Sequence, residues 1–156
     1  MEKSAAPAQQ VSAAGLRVVI VAARYNLVLV ERLLDGARAA WRAADGDEAA
    51  LRVAWVPGAF ELPLAAQALA RRGQCDALVA LGCVIRGETA HFEFVAGECA
   101  RGLQQVMLNT GVPVAFGVLT TEDLAQAEAR AAPGPNNKGA EALRTALAMA
   151  RLVLSI

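Results

Sequence analysis

The only histidine in the chain, His91, follows a glycine turn at the end of an apolar run: residues 80–94 read ALGCVIRGETAHFEF. The stretch from Gly82 to Thr89, GCVIRGET, has the spacing of a triphosphate-binding loop, with glutamate where that loop needs lysine. A carboxylate at Glu88 repels a triphosphate, which argues against nucleotide hydrolysis. The backbone chemistry survives the change. A glycine between a strand end and a helix start leaves N–H groups aimed outward, where the helix dipole favours an anion. One reading places a single phosphate monoester on the amides of Glu88 and Thr89, with the Thr89 hydroxyl assisting. The other is a plain turn that needs a small residue. His91, two residues further on, is in the first reading a proton carrier beside the anion, and otherwise a structural histidine.

Other residues carry paired readings too. Tyr25, at the end of a β-branched run, is suited to stacking on a planar ring or to an ordinary boundary position. Glu61 follows the turn PGAF at a helix start, where a carboxylate serves either the dipole or the hydroxyls of a polyol. Cys83 taken with His91 raises an acyl-transfer pair, but it sits in an apolar strand, where a thiol is ordinarily inert packing. Arg130 and Lys138 flank a Pro-Gly-Pro loop and read equally as solvated charges.

These residues need a scaffold, and the chain alternates regularly enough to predict one. Residues 16–23, 51–56, 77–85 and 112–119 form apolar runs of strand length. Helical spacing fills 28–44, 62–72, 90–109 and 138–153. A further helix reaches about Ala132, with Thr120 or Thr121 as its cap and Glu122 and Asp123 in its first turn. The order β-α-β-α-β-α-β-α-α predicts an α/β fold: a three-layer αβα arrangement around a four-stranded parallel sheet. Ligands of such sheets sit beyond the strands' carboxyl ends. That rule gathers Arg24-Tyr25-Asn26, Pro57 to Glu61, Arg86 to His91 and Thr120-Thr121 before any chemistry is assigned.

Composition narrows the class further. The 15 basic and 15 acidic residues cancel, which gives no basic footprint for nucleic acid or membrane surfaces. Three cysteines without CxxC spacing point to neither a disulfide framework nor a zinc knuckle. With no apolar leader and no membrane-length run, the expected location is cytoplasmic. The 56% hydrophobic content in 156 residues predicts burial against other subunits. Residues 1–14 are expected to be a mobile arm and 15–156 a single domain.

From Leu16 to the C-terminus the chain resembles the lumazine synthase family. The resemblance rests on RYN (24–26), WVPGAFELP (55–63), GCVIRGETAHFEFV (82–95), PVAFGVLTTE (113–122) and NKGAEA (137–142). It implies a flavodoxin-like fold and condensation of 5-amino-6-(D-ribitylamino)uracil with 3,4-dihydroxy-2-butanone 4-phosphate. The products are 6,7-dimethyl-8-ribityllumazine, phosphate and water, in the penultimate step of riboflavin biosynthesis. No metal and no organic cofactor is implied. Tyr25 would stack on the pyrimidine, Ala59 and Glu61 would hold the ribityl hydroxyls, and backbone near Val84 and Ile85 would meet the pyrimidine's polar edge. Glu88 and Thr89 would bind phosphate, with Arg130 reaching in, and His91 would move the protons. Asn26, Phe60 and Cys83 complete the expected substrate shell. Phe116, Arg130 and Lys138 would come from a neighbouring subunit of a homopentamer, which can stack into an icosahedral capsid. Two features depart from the family: Ala129 stands where glutamate often precedes the arginine, and AAPGPNNKG replaces a loop commonly GTKAGNKG. The rival readings are a flavin-precursor binder or shell protein without catalysis, and a Cys83–His91 acyl-transfer enzyme.

Overall fold

Every residue of Val18–Ala23 (β1) is buried, and so is Ala77–Ile85 (β3) except at its last two positions. Strands covered on both faces have no polar side to alternate with, hence their unbroken apolar sequences. The computed structural model describes residues 10–156. In it, Leu51–Val56 (β2) and Val114–Thr121 (β4) flank the two buried strands in one parallel sheet of order β2-β1-β3-β4. Val18 pairs with both Leu51 and Ala77, and β3 runs beside β4 from Leu78↔Val114 to Ile85↔Thr121.

Among the described residues, five helices cover the sheet in the predicted three layers. Leu27–Ala43 (α1), Leu124–Ala131 (α4) and Lys138–Ser155 (α5) bury Leu33, Trp41, Ala127, Leu143 and Leu147 against Ile20, Val79 and Leu81 on one face. Leu62–Arg71 (α2) and His91–Thr110 (α3) bury Leu62, Ala66, Cys99 and Leu103 against Val19, Val21 and Leu78 on the other. The buried positions of α3, Ala96, Cys99, Leu103 and Val106, recur at three and four residues, the stripe an amphipathic helix presents to a core. Fully burying each large side chain contributes about 1.5–3 kcal/mol. Such a doubly covered parallel sheet is a flavodoxin-like fold.

Two sequence expectations shift. The fourth strand runs over Val114–Thr121 rather than 112–119, because the β3 ladder carries pairing on to Thr121. Neither Thr120 nor Thr121 is therefore the cap of α4. Asp123 takes that place, its carboxylate accepting from Gln126 N at 2.8 Å, while the Thr121 hydroxyl donates to Asp123 O at 2.9 Å. Of the expected arm, residues 1–9 lie outside the described residues. Within residues 10–14, Ala13 is fully buried, its N–H donates to Ala44 O, and Arg151 donates to the carbonyls of Ser12 and Ala14. No helix among the described residues is long and apolar enough to cross a membrane.

Candidate active site

Parallel pairing sends the carboxyl ends of all four strands to one edge of the sheet. At the exit of β1, Arg24 N and Tyr25 N donate to Val56 O and Pro57 O at 2.9 and 3.1 Å, tying this exit to that of β2. Asn26 follows in a left-handed conformation (φ 57°), and its Nδ2 donates to Cys83 O at 2.8 Å. Asn26 therefore staples the β1 exit to β3, leaving Tyr25 74% exposed at the rim. Beyond β2, a single 3-10 turn over Ala59–Glu61 buries Ala59 and exposes Phe60 and Glu61. The Glu61 carboxylate lies over Gly58, where an added Cβ would come within 3.2 Å of Oε2.

Val84 and Ile85 are half-buried at the end of β3, and the turn that follows stands in the open. Gly87, Glu88, Thr89, Ala90 and His91 are all exposed, and no atom lies within 4 Å of where a Gly87 side chain would begin. His91 opens α3, and its N–H points at Thr89 Oγ1, 3.4 Å away. Arg86, which sequence reasoning left without a role, reaches Glu122 Oε2 with Nε at 2.7 Å, pairs with Glu93 and lies over the Phe92 ring. The hydrogen bond from Arg86 holds the exposed Glu93 carboxyl below the ordinary carboxylate range.

Cys83 sits at the same strand end but turned inward. It is buried at 3% exposure, desolvation pushes its thiol up to about 11, and Asn26 already occupies its carbonyl. A buried thiol held protonated well above neutral pH argues against the acyl-transfer pairing with His91.

The remaining expected residues gather elsewhere. Phe116, Arg130 and Lys138 line an open cavity of about 380 Å³ beside β4, with Thr120, Glu141 and Thr145. Lys138 Nζ pairs with Glu141 Oε2 at 2.7 Å, and Arg130 Nη1 donates to Gln126 O at 3.0 Å. Asn137, 1% exposed and missed in the sequence, holds this cluster together. Its Oδ1 accepts from Gly139 N and Ala140 N, capping α5, while Nδ2 faces the carbonyls of Arg32, Ala131 and Ala132. Within one chain the expected shell thus falls into two groups. Tyr25, Asn26, Ala59, Phe60, Glu61, Val84, Ile85, Glu88, Thr89 and His91 lie at the exits of β1, β2 and β3. Phe116, Arg130 and Lys138 lie in the β4 cavity, which none of the first group lines.

The family model described as 6,7-dimethyl-8-ribityllumazine synthase matches residues 15–153. The chain is 52% identical over 145 residues to the 6,7-dimethyl-8-ribityllumazine synthase of Thermus thermophilus, covering 93% of this chain and 92% of that protein. It is 54% identical over 147 residues to the enzyme of the same name from Edwardsiella ictaluri, covering 94% of each. With a family match spanning nearly every described element and relatives above half identity over almost their whole length, the chain belongs to the 6,7-dimethyl-8-ribityllumazine synthase family.

Proposed function

We propose that this protein is a cytoplasmic enzyme of riboflavin biosynthesis that condenses 5-amino-6-(D-ribitylamino)uracil with 3,4-dihydroxy-2-butanone 4-phosphate to 6,7-dimethyl-8-ribityllumazine. It acts as a homopentamer whose rings stack into an icosahedral shell, and each active site forms between adjacent subunits. The observation that carries the reading is the division of the site. An aromatic and polyol-binding half with a phosphate turn and a histidine stands open at three strand ends. A cationic half with Phe116, Arg130 and Lys138 stands open at the fourth. Both halves stand open to solvent in the single chain. The exposed apolar side chains Leu27, Val28, Leu64, Phe94 and Leu108 supply surface for the contact that would join them.

The chemistry suits this sparse equipment. The C5 amine attacks the ketone carbonyl, a proton passes from nitrogen to oxygen, and water leaves to give an imine. Removal of the C3 proton expels the C4 phosphate, and the enol left behind becomes a methyl ketone by protonation at C4. The ribitylamino nitrogen attacks that ketone and a second water leaves, closing the ring. Each step moves a proton, the elimination one of them beside the departing phosphate, and His91, at the foot of the phosphate turn, is the group of this chain suited to carry it. Backbone amides at Glu88 and Thr89, with Arg130, neutralise the leaving group. Tyr25 and Glu61 orient the pyrimidine and its ribityl chain, so catalysis is chiefly positioning of two reactive partners.

Incubating the purified protein with both substrates and following lumazine fluorescence tests the reading. Product should form without added metal or cofactor, and His91→Ala should slow turnover about ten- to a thousandfold while ribitylated pyrimidine binding is unchanged. Absence of product from the unaltered protein, with pyrimidine binding intact, would favour the non-catalytic binder or shell. Full activity in His91→Ala would remove the histidine from the mechanism.

A further inference from the structure

The turn proposed to bind phosphate has almost nothing to hold it. Among the described residues and apart from the helix's own bonding, residues 87–90 take part in two hydrogen bonds: His91 N to Thr89 Oγ1 at 3.4 Å, and Glu93 N to Ala90 O at 3.1 Å. A turn this exposed samples many conformations unless its ends are fixed. Yet a cradle for an anion works only when its amides are already in place.

Both ends are fixed by one side chain. Arg86 leaves β3 with its own N–H on Thr121 O at 2.9 Å, so its backbone belongs to the sheet. Its guanidinium then reaches across to three groups. Nε donates to Glu122 Oε2 at 2.7 Å at the exit of β4; Nη1 donates to Glu93 in the first turn of α3; and the planar face covers the Phe92 ring, 4.3 Å from its centroid. Planarity, five donors and a stackable face allow arginine to make these contacts together, which a lysine cannot do. Both carboxylate partners further raise the already high affinity of Arg86 for its proton.

We infer that Arg86 is a positioning residue for the phosphate turn: by clasping Glu93 and Glu122 across Phe92 it fixes the spacing between the end of β3 and the start of α3, and so sets Glu88, Thr89 and His91. Arg86 is committed to these internal partners and is not the cation that meets the phosphate. This rests on the reading of residues 87–91 as a phosphate site.

The carboxylates give a test whose sign discriminates. Freed of Glu93 or Glu122, a ligand arginine would gain a hand for the anion and bind it more tightly; a clasp would lose its hold and bind it less well. Inorganic phosphate is titrated against the assembled protein by calorimetry, and KM for the butanone phosphate and the pyrimidine is measured in parallel. Glu93→Gln and Glu122→Gln should each weaken phosphate binding about three- to tenfold. They should raise KM for the butanone phosphate and leave KM for the pyrimidine within twofold. Arg86→Ala should lose about ten- to a hundredfold in kcat/KM, with Arg86→Lys recovering part of it. In Arg86→Ala, adding Glu93→Gln should do no further harm, because the partners act through one group. Tighter phosphate binding in either glutamine variant, or equal KM changes for both substrates, would overturn the inference. Should Arg86→Ala fail to assemble, the two glutamine variants decide alone. An unaltered protein that binds phosphate but makes no lumazine would refute the enzymatic reading and leave the phosphate titration to judge the clasp. One that binds no phosphate would overturn both.

Discussion

Asn137 offers the sharpest connection between one buried side chain and the cationic half of the site. Its Oδ1 caps α5 by accepting from Gly139 N at 2.8 Å and Ala140 N at 3.1 Å. Its Nδ2 carries two hydrogens and faces three carbonyls, Arg32 O at 3.1 Å, Ala131 O at 3.0 Å and Ala132 O at 3.2 Å, so it satisfies two at a time. Replacement by alanine removes a helix cap, about 1 kcal/mol. It also removes about two buried hydrogen bonds at about 1 kcal/mol each. The total is about 3 kcal/mol. Asn137→Ser keeps a capping oxygen and loses the donors, so about 2 kcal/mol is expected there. At about 2–4 °C per kcal/mol for a chain of this size, Asn137→Ala should melt about 6–12 °C below the unaltered protein, with Asn137→Ser between them. Protomer concentration must be held fixed, because assembly shifts apparent stability. Lys138 is the next residue and the first of α5, so the same variant should raise KM for the butanone phosphate more than for the pyrimidine. A melting shift below about 2 °C, or alanine and serine variants that coincide, would refute the assignment of these bonds as the organising contacts of the loop.

Further outcomes follow from packing and charge. Gly139→Ala should cost at least as much as Asn137→Ala in melting temperature, because the added Cβ would fall 1.9 Å from Leu33 O and force α5 off α1; an unchanged melting point would contradict the close helix contact. Arg130→Ala should raise KM for the butanone phosphate far more than for the pyrimidine, and equal effects would take Arg130 out of the phosphate half. Burial pushes the thiols of Cys83 and Cys99 up to about 11 and about 12, against 9.0 ordinarily. An unfolded chain therefore releases these protons first. Their contribution to stability is complete below pH 9 and is lost as pH climbs through the folded values. Stability should fall above pH 9 less steeply in Cys83→Ser than in the unaltered protein, and Cys83 should resist alkylation at pH 7 while the variant stays active within a few-fold. Rapid labelling of native Cys83 with loss of turnover would reverse its assignment to packing.

The sheet was legible because its strands need no partner to announce themselves. Residues 51–56 and 77–85 are apolar runs bounded by Pro57-Gly58 and Gly87, and the structure ends them where the sequence does. The entry to α4 was not, since Thr120, Thr121 and Asp123 are all competent caps within four residues. Only the pairing of Ile85 with Thr121 keeps the threonines in the strand and leaves the cap to Asp123. The strand-end rule gathered Tyr25, Glu61 and His91 from local pattern alone. Asn137 escaped because one of its carbonyl partners, on Arg32, is 105 residues away, and Arg86, though gathered, was left without a role because its clasp depends on Glu122, 36 residues on. Polar contacts across such separations leave no periodicity in a sequence. The grouping of Phe116, Arg130 and Lys138 came from family resemblance; in the structure the three line one cavity beside β4.

The division of the site between subunits is tested most directly by mixing two inactive chains. His91→Ala spoils the half at the ends of β1, β2 and β3, while Arg130→Ala spoils the half beside β4. Each is prepared alone, shown to be impaired, then unfolded and refolded together in equal amounts. In a closed ring, a junction has both halves intact when an Arg130→Ala chain supplies the first half and a His91→Ala chain the second. Random mixing gives that pairing at about one junction in four. Lumazine formation at about a quarter of the unaltered rate, from a mixture whose mass confirms mixed rings, is the predicted result. Mixed rings no more active than the two parents would show that each site is completed within a single chain.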